Sequence, residues 1–241
     1  MENYLDSYQI IEKYNLNHNT IFITVKKENI PEPQKTPVSH FFYIYNDDYS
    51  IKRPYTPIQN TPNSLSFAIK IYEKGNISKY LNSKKINEKI KLSKPIPKRK
   101  YNINEFKNIL MIAGGTGITP MLQILEYSLN STEDKTIFNL IFCNLSEKDI
   151  FLNNKLIEYE KSNRCNVIHV LENKETESKH IKGRININII KKYSNFDFCY
   201  VCGPPPMIKD VCGSKGENNS QGSVEGMLKE LGFYSENVYK F

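Results

Sequence analysis

The sequence predicts two regions of different fold class, an N-terminal antiparallel β-barrel followed by a doubly wound parallel α/β domain. The first hundred residues contain short segments rich in β-branched and aromatic residues, separated by Pro, Asn and Asp clusters. The rest of the chain alternates apolar runs with stretches of helical periodicity. A length of 241 residues suits two modest domains.

The first region is predicted to contain strands at residues 21–25, 41–45 and 65–72. In the third of these, hydrophobic residues alternate with Lys70 and Tyr72, so the two side chains are expected on one face of a half-buried strand. Several short strands at close spacing are typical of a barrel or sandwich. After the glycine at residue 75, a short helix is predicted over residues 78–82.

A domain boundary is predicted where two prolines interrupt a basic run at residues 94–100. Proline lacks the N–H that a central strand must donate, so we expect no strand there. The predicted domains are residues 1–100 and 101–241.

The second region contains predicted buried strands at residues 108–113, 137–143, 167–171 and 196–202. Helices are predicted after the first strand and over residues 151–159, because apolar residues recur there at helical spacing. Residues 213–223 are a low-complexity insertion rich in Gly, Ser and Asn, which we expect to form a mobile surface loop.

The composition restricts the class of partner. Lysine accounts for 29 of the 33 basic residues, and the net charge is +7. Sequence-reading nucleic-acid proteins favour arginine, so the charge indicates either a solvated lysine surface or a docking surface for an acidic partner. The sequence contains no basic run interleaved with aromatics, so binding to RNA or to a membrane surface is not predicted.

The cellular setting is predicted to be the reducing cytoplasm. Five cysteines, an odd number, argue against a disulfide framework, and the Cys199 and Cys202 pair lacks a second pair at zinc spacing, so no metal is expected. The N-terminus does not read as a secretory signal, and no apolar run approaches the length of a membrane span. Peripheral association with an intracellular membrane stays open, and a monomer is expected.

Glycine- and proline-rich turns follow two of the predicted parallel strands. The first turn, GGTGITP at residues 114–120, leads from a strand into a helix, as phosphate-binding turns do. The second, CGPPPM at residues 202–207, follows the fourth strand. Doubly wound sheets bind ligands at the carboxyl ends of their strands. A tight strand-to-helix connection without a ligand is the alternative for the first turn.

A third motif lies in the first region. RPYTP at residues 53–57 supplies an Arg for a pyrophosphate, an aromatic plane and a hydroxyl, and the turn at Gly75 opens a short helix. An ordinary strand end with a surface Arg is the alternative.

These motifs, in this order, resemble the ferredoxin-NADP reductase superfamily, and most closely its NADH-cytochrome b5 reductase branch. The resemblance extends from about Tyr8 to Phe241. It implies an FAD-binding barrel, an NADH-binding domain, and transfer of a hydride from NADH followed by single electrons to a haem protein, expected to be cytochrome b5.

The resemblance also implies the residues of the site. Thr56, Lys70, Cys202 and His40 are expected to act nearest the chemistry: Thr56 through a hydrogen bond to the flavin, Lys70 through charge, Cys202 by positioning the nicotinamide and His40 by supporting the flavin. The expected FAD-binding residues are Arg53, Pro54, Tyr55, Thr56, Ile69, Lys70, Tyr72, Gly75, Asn76, Ile77 and Ser78. The expected NADH-binding residues are Gly115, Thr116, Gly117, Thr119, Glu172, Cys202, Gly203, Pro204, Pro205, Met207 and Phe241.

Some positions depart from the family pattern. Lys74 and Gly75 replace a double glycine, and Asn76 replaces a lysine. Glu172 favours NADH, because a carboxylate accepts from the ribose hydroxyls and repels a 2′-phosphate, whereas Lys174 opposes this preference. Two alternatives stay open: a reductase whose acceptor is a quinone, ferric chelate or ferredoxin, and a non-catalytic module that binds a nucleotide or a partner.

Overall fold

The computed structural model describes residues 5–27, 38–173, 180–193 and 195–241. The chain divides into two compact units, Met1–Lys100 and Tyr101–Phe241, called unit 1 and unit 2 below. Unit 1 contains an antiparallel sheet and unit 2 a parallel sheet with helices, so the predicted fold class is confirmed. Lys174 lies outside the described residues.

The described residues of unit 1 form eight strands and one helix. The strands are β1 (Leu5–Asn15), β2 (Thr20–Lys27), β3 (His40–Tyr45), β4 (Lys52–Tyr55), β5 (Gln59–Asn60), β6 (Ser64–Lys70), β7 (Lys89–Ser93) and β8 (Ile96–Pro97), and the helix is α1 (Asn76–Ser83). The sheet order is β4-β3-β7-β1-β2-β6-β5, and β8 pairs with β3. All these pairings are antiparallel.

Two predictions for unit 1 were wrong in detail. The strand predicted to reach Tyr72 ends at Lys70, because the Tyr72 N–H donates to Ser78 Oγ at 3.3 Å instead of continuing the ladder. The proline-containing break at residues 94–100 does hold a strand, the two-residue β8. Pro97 is tolerated there because β8 is short and pairs with β3.

Helix α1 is fixed at its carboxyl end by a lysine from β1. Ile77 and Leu81 bury the helix in the core of unit 1. Lys13 Nζ donates to the carbonyls of Leu81, Asn82 and Lys84 at 3.2, 2.6 and 2.6 Å. These carbonyls lie at the negative end of the helix dipole, where a cation stabilises the helix.

Unit 2 alternates strands and helices around one parallel sheet. The strands are β9 (Asn108–Gly114), β10 (Ile137–Asn144), β11 (Cys165–Leu171), β12 (Ile181–Lys182), β13 (Phe198–Cys202) and β14 (Val238–Lys240). The α-helices are α2 (Thr119–Leu129), α3 (Asn153–Glu160), α4 (Ile187–Lys191), α5 (Pro205–Cys212) and α6 (Gly226–Glu230). The sheet order β12-β11-β10-β9-β13-β14 reverses direction at β9. Doubly wound sheets bind ligands at such a reversal.

The helix predicted over residues 151–159 begins later, at Asn153. Leu152 has a φ of 57°, in the left-handed region, so it cannot continue a right-handed helix. Phe151 instead packs edge-on against Phe142 of β10, with ring centroids 6.0 Å apart. The apolar periodicity therefore marked the buried face correctly and placed the start of the helix too early.

The segment at residues 213–223 is mostly exposed, and two residues join it to β14. Lys240 Nζ, on a side chain that is almost fully buried, donates to the carbonyls of Ser214 and Ser223 at 3.0 and 2.7 Å. The Gln221 side chain bonds the backbone N–H and carbonyl of Lys240. These bonds connect both ends of the segment to the edge of the sheet.

A buried polar network lies at the other end of the sheet, near the start of β10. Asp134 is 1% exposed. Its carboxylate accepts from Tyr101 Oη at 2.6 Å and from the backbone N–H of Asn104 and Thr136 at 3.3 and 3.0 Å. Arg164 donates to the carbonyl of Asp134 and to those of Ser128, Leu129 and Ser131 at the carboxyl end of α2.

The net positive charge of the chain resides in unit 1. Unit 1 carries 17 basic and 9 acidic residues, a net charge of +8, whereas unit 2 carries 16 basic and 17 acidic residues, a net charge of −1. The chain therefore combines a strongly basic unit with a nearly neutral one. Among the described residues, no helix has both the length and the hydropathy to cross a bilayer.

All five cysteines are free thiols. Burial raises the pKa of Cys143 and Cys165 to about 12 and of Cys212 to about 11, and raises that of Cys199 well above its usual range. Because the thiolate is the reactive form, these four side chains are unreactive at neutral pH. Cys202, at the end of β13, is partly exposed.

Candidate functional site

The glycine-rich turn of unit 2 connects the central strand β9 to helix α2. After Gly114, residues 115–118 form a single 3₁₀ turn, and Thr119 Oγ1 donates to the Thr116 carbonyl at 3.0 Å. Gly115 has a φ of +53°, and a Cβ there would have no neighbour within 4 Å. The turn therefore leaves open space beside its backbone, which a ligand could approach closely.

The two motifs of unit 2 pack directly against each other. Strands β9 and β13 are adjacent, with Ala113 opposite Cys202, so both turns leave the sheet at the same edge. A Cβ on Gly117 would lie 2.8 Å from the Gly203 nitrogen and closer still to the Cys202 carbonyl. A glycine is therefore required at residue 117, because the two turns pack backbone against backbone.

The proline-containing loop packs closely on the same strand end. A Cβ on Gly114 would lie 2.7 Å from Pro204 Cδ and 2.9 Å from Met207 Sδ. Met207 also packs against the core of unit 2. Pro204 and Pro205 are exposed at the start of α5, and they hold the loop rigid where it leaves β13.

Phe241 lies beside the end of β13. Its backbone N–H donates to the Val201 carbonyl at 2.9 Å, and its ring stacks on Tyr200 with centroids 5.4 Å apart. Its side chain is partly exposed. An aromatic ring is thus fixed one strand away from the two glycine-containing turns.

The carboxyl ends of β10 and β11 add polar groups to this edge. The buried amide nitrogen of Asn144 has no hydrogen-bond partner among the described residues, and the Asn144 carbonyl accepts from the Glu172 N–H at 3.1 Å. Glu172 forms an ion pair with Arg184, Nε to Oε2, at 3.0 Å. Arg184 was not predicted from the sequence; it lies twelve residues after Glu172 and follows the short strand β12.

In unit 1 the RPYTP motif forms strand β4 and the turn after it. Arg53 and Tyr55 lie opposite Ile44 and Phe42 of β3, so both side chains are on one face of β4. Arg53 is exposed and donates to the Lys52 carbonyl at 2.8 Å. Burial, with a smaller contribution from Tyr72, raises the pKa of the Tyr55 hydroxyl above its usual range, so this hydroxyl stays protonated.

The turn before α1 packs tightly around Gly75. The Gly75 N–H donates to the Tyr72 carbonyl at 2.9 Å, and a Cβ on Gly75 would collide with Ser78 Oγ. In the part of the chain that the structure describes, no side chain caps the start of α1, and its first turn contains no acidic residue. The first backbone N–H groups of a helix lack partners within the helix, and such groups suit a phosphate.

The other residues predicted for unit 1 do not lie at one surface. Thr56 and Lys70 are partly exposed and Asn76 is exposed, so their side chains could reach a ligand. Ile69 and Ile77, each 1% exposed, belong to the core. His40 is buried and packs edge-on against Phe42 with ring centroids 5.5 Å apart, which suits a supporting role.

Family models match both units. The model described as an oxidoreductase FAD-binding domain matches residues 7–101, and the model described as an oxidoreductase NAD-binding domain matches residues 111–213. The two matches follow each other along the chain in the order of the two units. FAD and NAD are therefore the cofactors of the matched domains.

Curated relatives match most of the chain. The chain is 37% identical to NADH-cytochrome b5 reductase 2 of Aspergillus terreus over 202 residues, which are 80% of this chain and 63% of the relative. It is 34% identical to the protein of the same name from Aspergillus clavatus over 246 residues, covering 97% of this chain and 76% of the relative. The chain spans about 60% of the length of the A. terreus and Neurospora crassa relatives.

A solved structure has the same fold. The cytochrome b5 reductase domain of Ulva prolifera nitrate reductase superposes with a TM-score of 0.82 at 23% identity, covering 99% of this chain and 98% of that one. At this identity the likeness establishes the fold alone.

Proposed function

The chain belongs to the NADH-cytochrome b5 reductase family, and we propose that it is an FAD-dependent oxidoreductase that takes a hydride from NADH and passes single electrons to a haem protein of the cytochrome b5 type. The observation that carries this proposal is the packing of the two turns of unit 2 at the reversal point of the sheet. Gly117 and Cys202 are 85 residues apart in sequence, yet their backbones meet at the edge where parallel sheets bind nucleotides.

Unit 2 would hold the nicotinamide nucleotide through its strand ends. The turn at Gly115, Thr116 and Gly117 offers backbone N–H groups and open space for the pyrophosphate. Glu172 would accept hydrogen bonds from the adenosine ribose, and Cys202 would contact the nicotinamide and position the ring. None of these groups needs to transfer a proton.

Unit 1 would hold FAD through groups on β4, at the end of β6 and at the start of α1. Arg53 and the backbone N–H groups of Asn76 and Ser78 would bind the phosphates, and Tyr55 and Tyr72 would pack against the rings. Thr56 would donate a hydrogen bond to the flavin, and Lys70 would place a positive charge near it. When bound, FAD supplies the chemistry itself, accepting a hydride and releasing electrons one at a time.

The function is tested by a spectrum of the purified protein. We expect flavin absorption bands that bleach on anaerobic addition of NADH and return when an oxidised acceptor is added. A colourless protein that binds no added FAD would support the alternative of a non-catalytic module. Faster turnover with a quinone, ferric chelate or ferredoxin than with cytochrome b5 would show that the proposed acceptor is wrong. The rest of the proposed function would then still stand.

The distribution of charge supports an acidic acceptor. Unit 1, which carries the FAD-binding match, has a net charge of +8. Long-range attraction to a basic unit raises the association rate of an acidic protein in transient electron-transfer complexes. We further propose that the protein acts as a monomer in the cytoplasm.

We expect the rate of cytochrome b5 reduction to fall steeply, about tenfold, between low and physiological ionic strength. The double variant Lys85→Glu, Lys89→Glu in unit 1 should slow association at low salt severalfold, because it reverses two exposed charges on the basic unit. The matched variant Lys148→Glu, Lys161→Glu reverses two exposed charges in unit 2. Equal effects of both variants, or a rate independent of salt, would contradict docking on unit 1.

A further inference from the structure

We propose that Gln221 and Lys240 are positioning residues, which fix the aromatic ring of Phe241 beside the turn that follows β13. The inference rests on the proposed function, because the nicotinamide would bind at that turn. The segment at residues 213–223, called the strap below, makes the contacts with Lys240 through its two ends and through the Gln221 side chain. The strap therefore bonds to the strand that leads directly to Phe241.

The Gln221 side chain pairs with the outer edge of β14. This strand is the last in the sheet order, so that edge has no neighbouring strand among the described residues. The Phe241 N–H bonds β13, and the N–H of the residue before it, Lys240, faces the opposite way. The Lys240 N–H donates to Gln221 Oε1 at 2.7 Å, and Gln221 Nε2 donates to the Lys240 carbonyl at 3.0 Å. One amide side chain thus takes the place of a neighbouring strand.

The side chain of Lys240 connects the two ends of the strap. It is 1% exposed, and its Nζ donates to the carbonyls of Ser214 and Ser223 at 3.0 and 2.7 Å. A buried ammonium requires such acceptors, because an unpaired buried charge is costly. The strap also packs on itself, since a Cβ on Gly222 would lie 2.9 Å from the Ser214 carbonyl. The buried cation therefore closes the strap at its base.

Phe241 follows Lys240 directly, so the position of Lys240 determines where the Phe241 ring lies. The Phe241 N–H donates to the Val201 carbonyl at 2.9 Å, one residue before the turn that would contact the nicotinamide. The ring packs against Tyr200 and Tyr239, with centroids 5.4 and 5.1 Å away. Strand β14 has only three residues, so its pairing with β13 provides few bonds. The strap would supply the additional bonds that keep the ring in place.

Hydrogen exchange measured by NMR on the flavin-loaded protein tests this link. In Gln221→Ala the Lys240 N–H loses its acceptor and exchanges faster in any case. The informative group is the Phe241 N–H, because its acceptor, Val201, lies outside the strap. We expect its protection to fall at least about tenfold in Gln221→Ala and in Lys240→Met. Glu217→Gln changes an exposed side chain of the strap and should leave this protection unchanged.

A double-mutant cycle on the rate of flavin reduction by NADH tests the role of the ring. Gln221→Ala and Phe241→Ala should each slow reduction by about tenfold, because each removes the ring from its position. The double variant should be no slower than Phe241→Ala, since the strap then has no ring to position. Binding of ADP-ribose, which lacks the nicotinamide, should stay unchanged. Gln221→Glu keeps the acceptor and loses the donor, so its rate should lie between those of wild type and Gln221→Ala.

Several outcomes would overturn the proposal. Unchanged protection of the Phe241 N–H in Gln221→Ala and Lys240→Met would show that the strap does not fix the ring. Additive effects in the cycle, or an equal loss of ADP-ribose binding, would show that the strap acts on unit 2 in general. If NADH leaves the wild-type flavin oxidised, the proposed function fails and the inference fails with it. Hydrogen exchange needs no NADH, so it distinguishes that failure from a strap that fixes nothing.

Discussion

The substitution Gly117→Ala should reduce the rate of flavin reduction by NADH at least about tenfold and destabilise unit 2 by roughly 2 to 3 kcal/mol, as overpacking of a tight contact does. A methyl group at residue 117 would be driven into the Cys202 carbonyl and the Gly203 nitrogen. These are backbone atoms at the end of β13, so they cannot turn aside as the tip of a side chain could. The two turns would have to separate, and the edge that is proposed to hold the nucleotide would open.

Gly115→Ala provides the matched control in the same turn. Its Cβ would meet nothing within 4 Å, so the substitution tests the cost of the positive φ without a collision. We expect about 1 kcal/mol of destabilisation. Hydrogen exchange should show that peptides from β9 and β13 lose protection in Gly117→Ala and largely keep it in Gly115→Ala. The rate of flavin reduction by NADH is measured on the same two variants. Equal behaviour of the two variants would show that the contact between the turns is not required.

Asp134→Asn should lower the free energy of unfolding of unit 2 by about 2 kcal/mol at pH 7. Burial alone would raise the pKa of this carboxyl, but hydrogen bonds from Tyr101, Ser128 and Thr136 outweigh burial and lower the pKa from 3.8 to about 2. The charged carboxylate is thus preferred in the folded state. Asparagine keeps the shape of the side chain and loses the charge that these donors bind.

The lowered pKa of Asp134 also sets the pH range in which the difference in stability between wild type and Asp134→Asn should disappear. A carboxyl whose pKa is lower in the folded state contributes its full stabilisation above pH 4 and loses it as the pH falls towards 2. Chemical denaturation of wild type and Asp134→Asn should therefore converge across that range. A difference in stability that stays constant from pH 6 to pH 2.5 would show that the charge of Asp134 contributes nothing.

The sequence was sufficient to predict features that depend on local patterns. The apolar run before Gly114 and the glycine turn after it are adjacent in sequence. Strand β9 and the turn that follows it could therefore be predicted from neighbouring residues alone. The α/β alternation of unit 2 follows from the same kind of pattern. The start of α3 was misplaced because a leucine in a left-handed conformation has the same hydrophobicity as a helical one.

Contacts between distant side chains could not be predicted in this way. Lys13 fixes the end of α1 across about 70 residues, and nothing near Lys13 in the sequence distinguishes it from an exposed lysine. The pairing of Glu172 with Arg184 depends on the two-residue strand β12, which is too short to produce a periodic signal. The sequence identified Glu172 through resemblance, and only the fold revealed its partner.

The strand order also limits the rate at which each unit completes its folding. In unit 1, β1 pairs with both β2 and β7, and Leu5 lies opposite Ser93. In unit 2, Ile112 of the central strand pairs with Val201. Closing a loop of nearly 90 residues costs about 4 kcal/mol of chain entropy, so such pairings form late. Chain synthesis adds roughly 5 to 20 residues per second, so many seconds separate the synthesis of β1 from that of β7. During this time one edge of β1 is unpaired and open to aggregation.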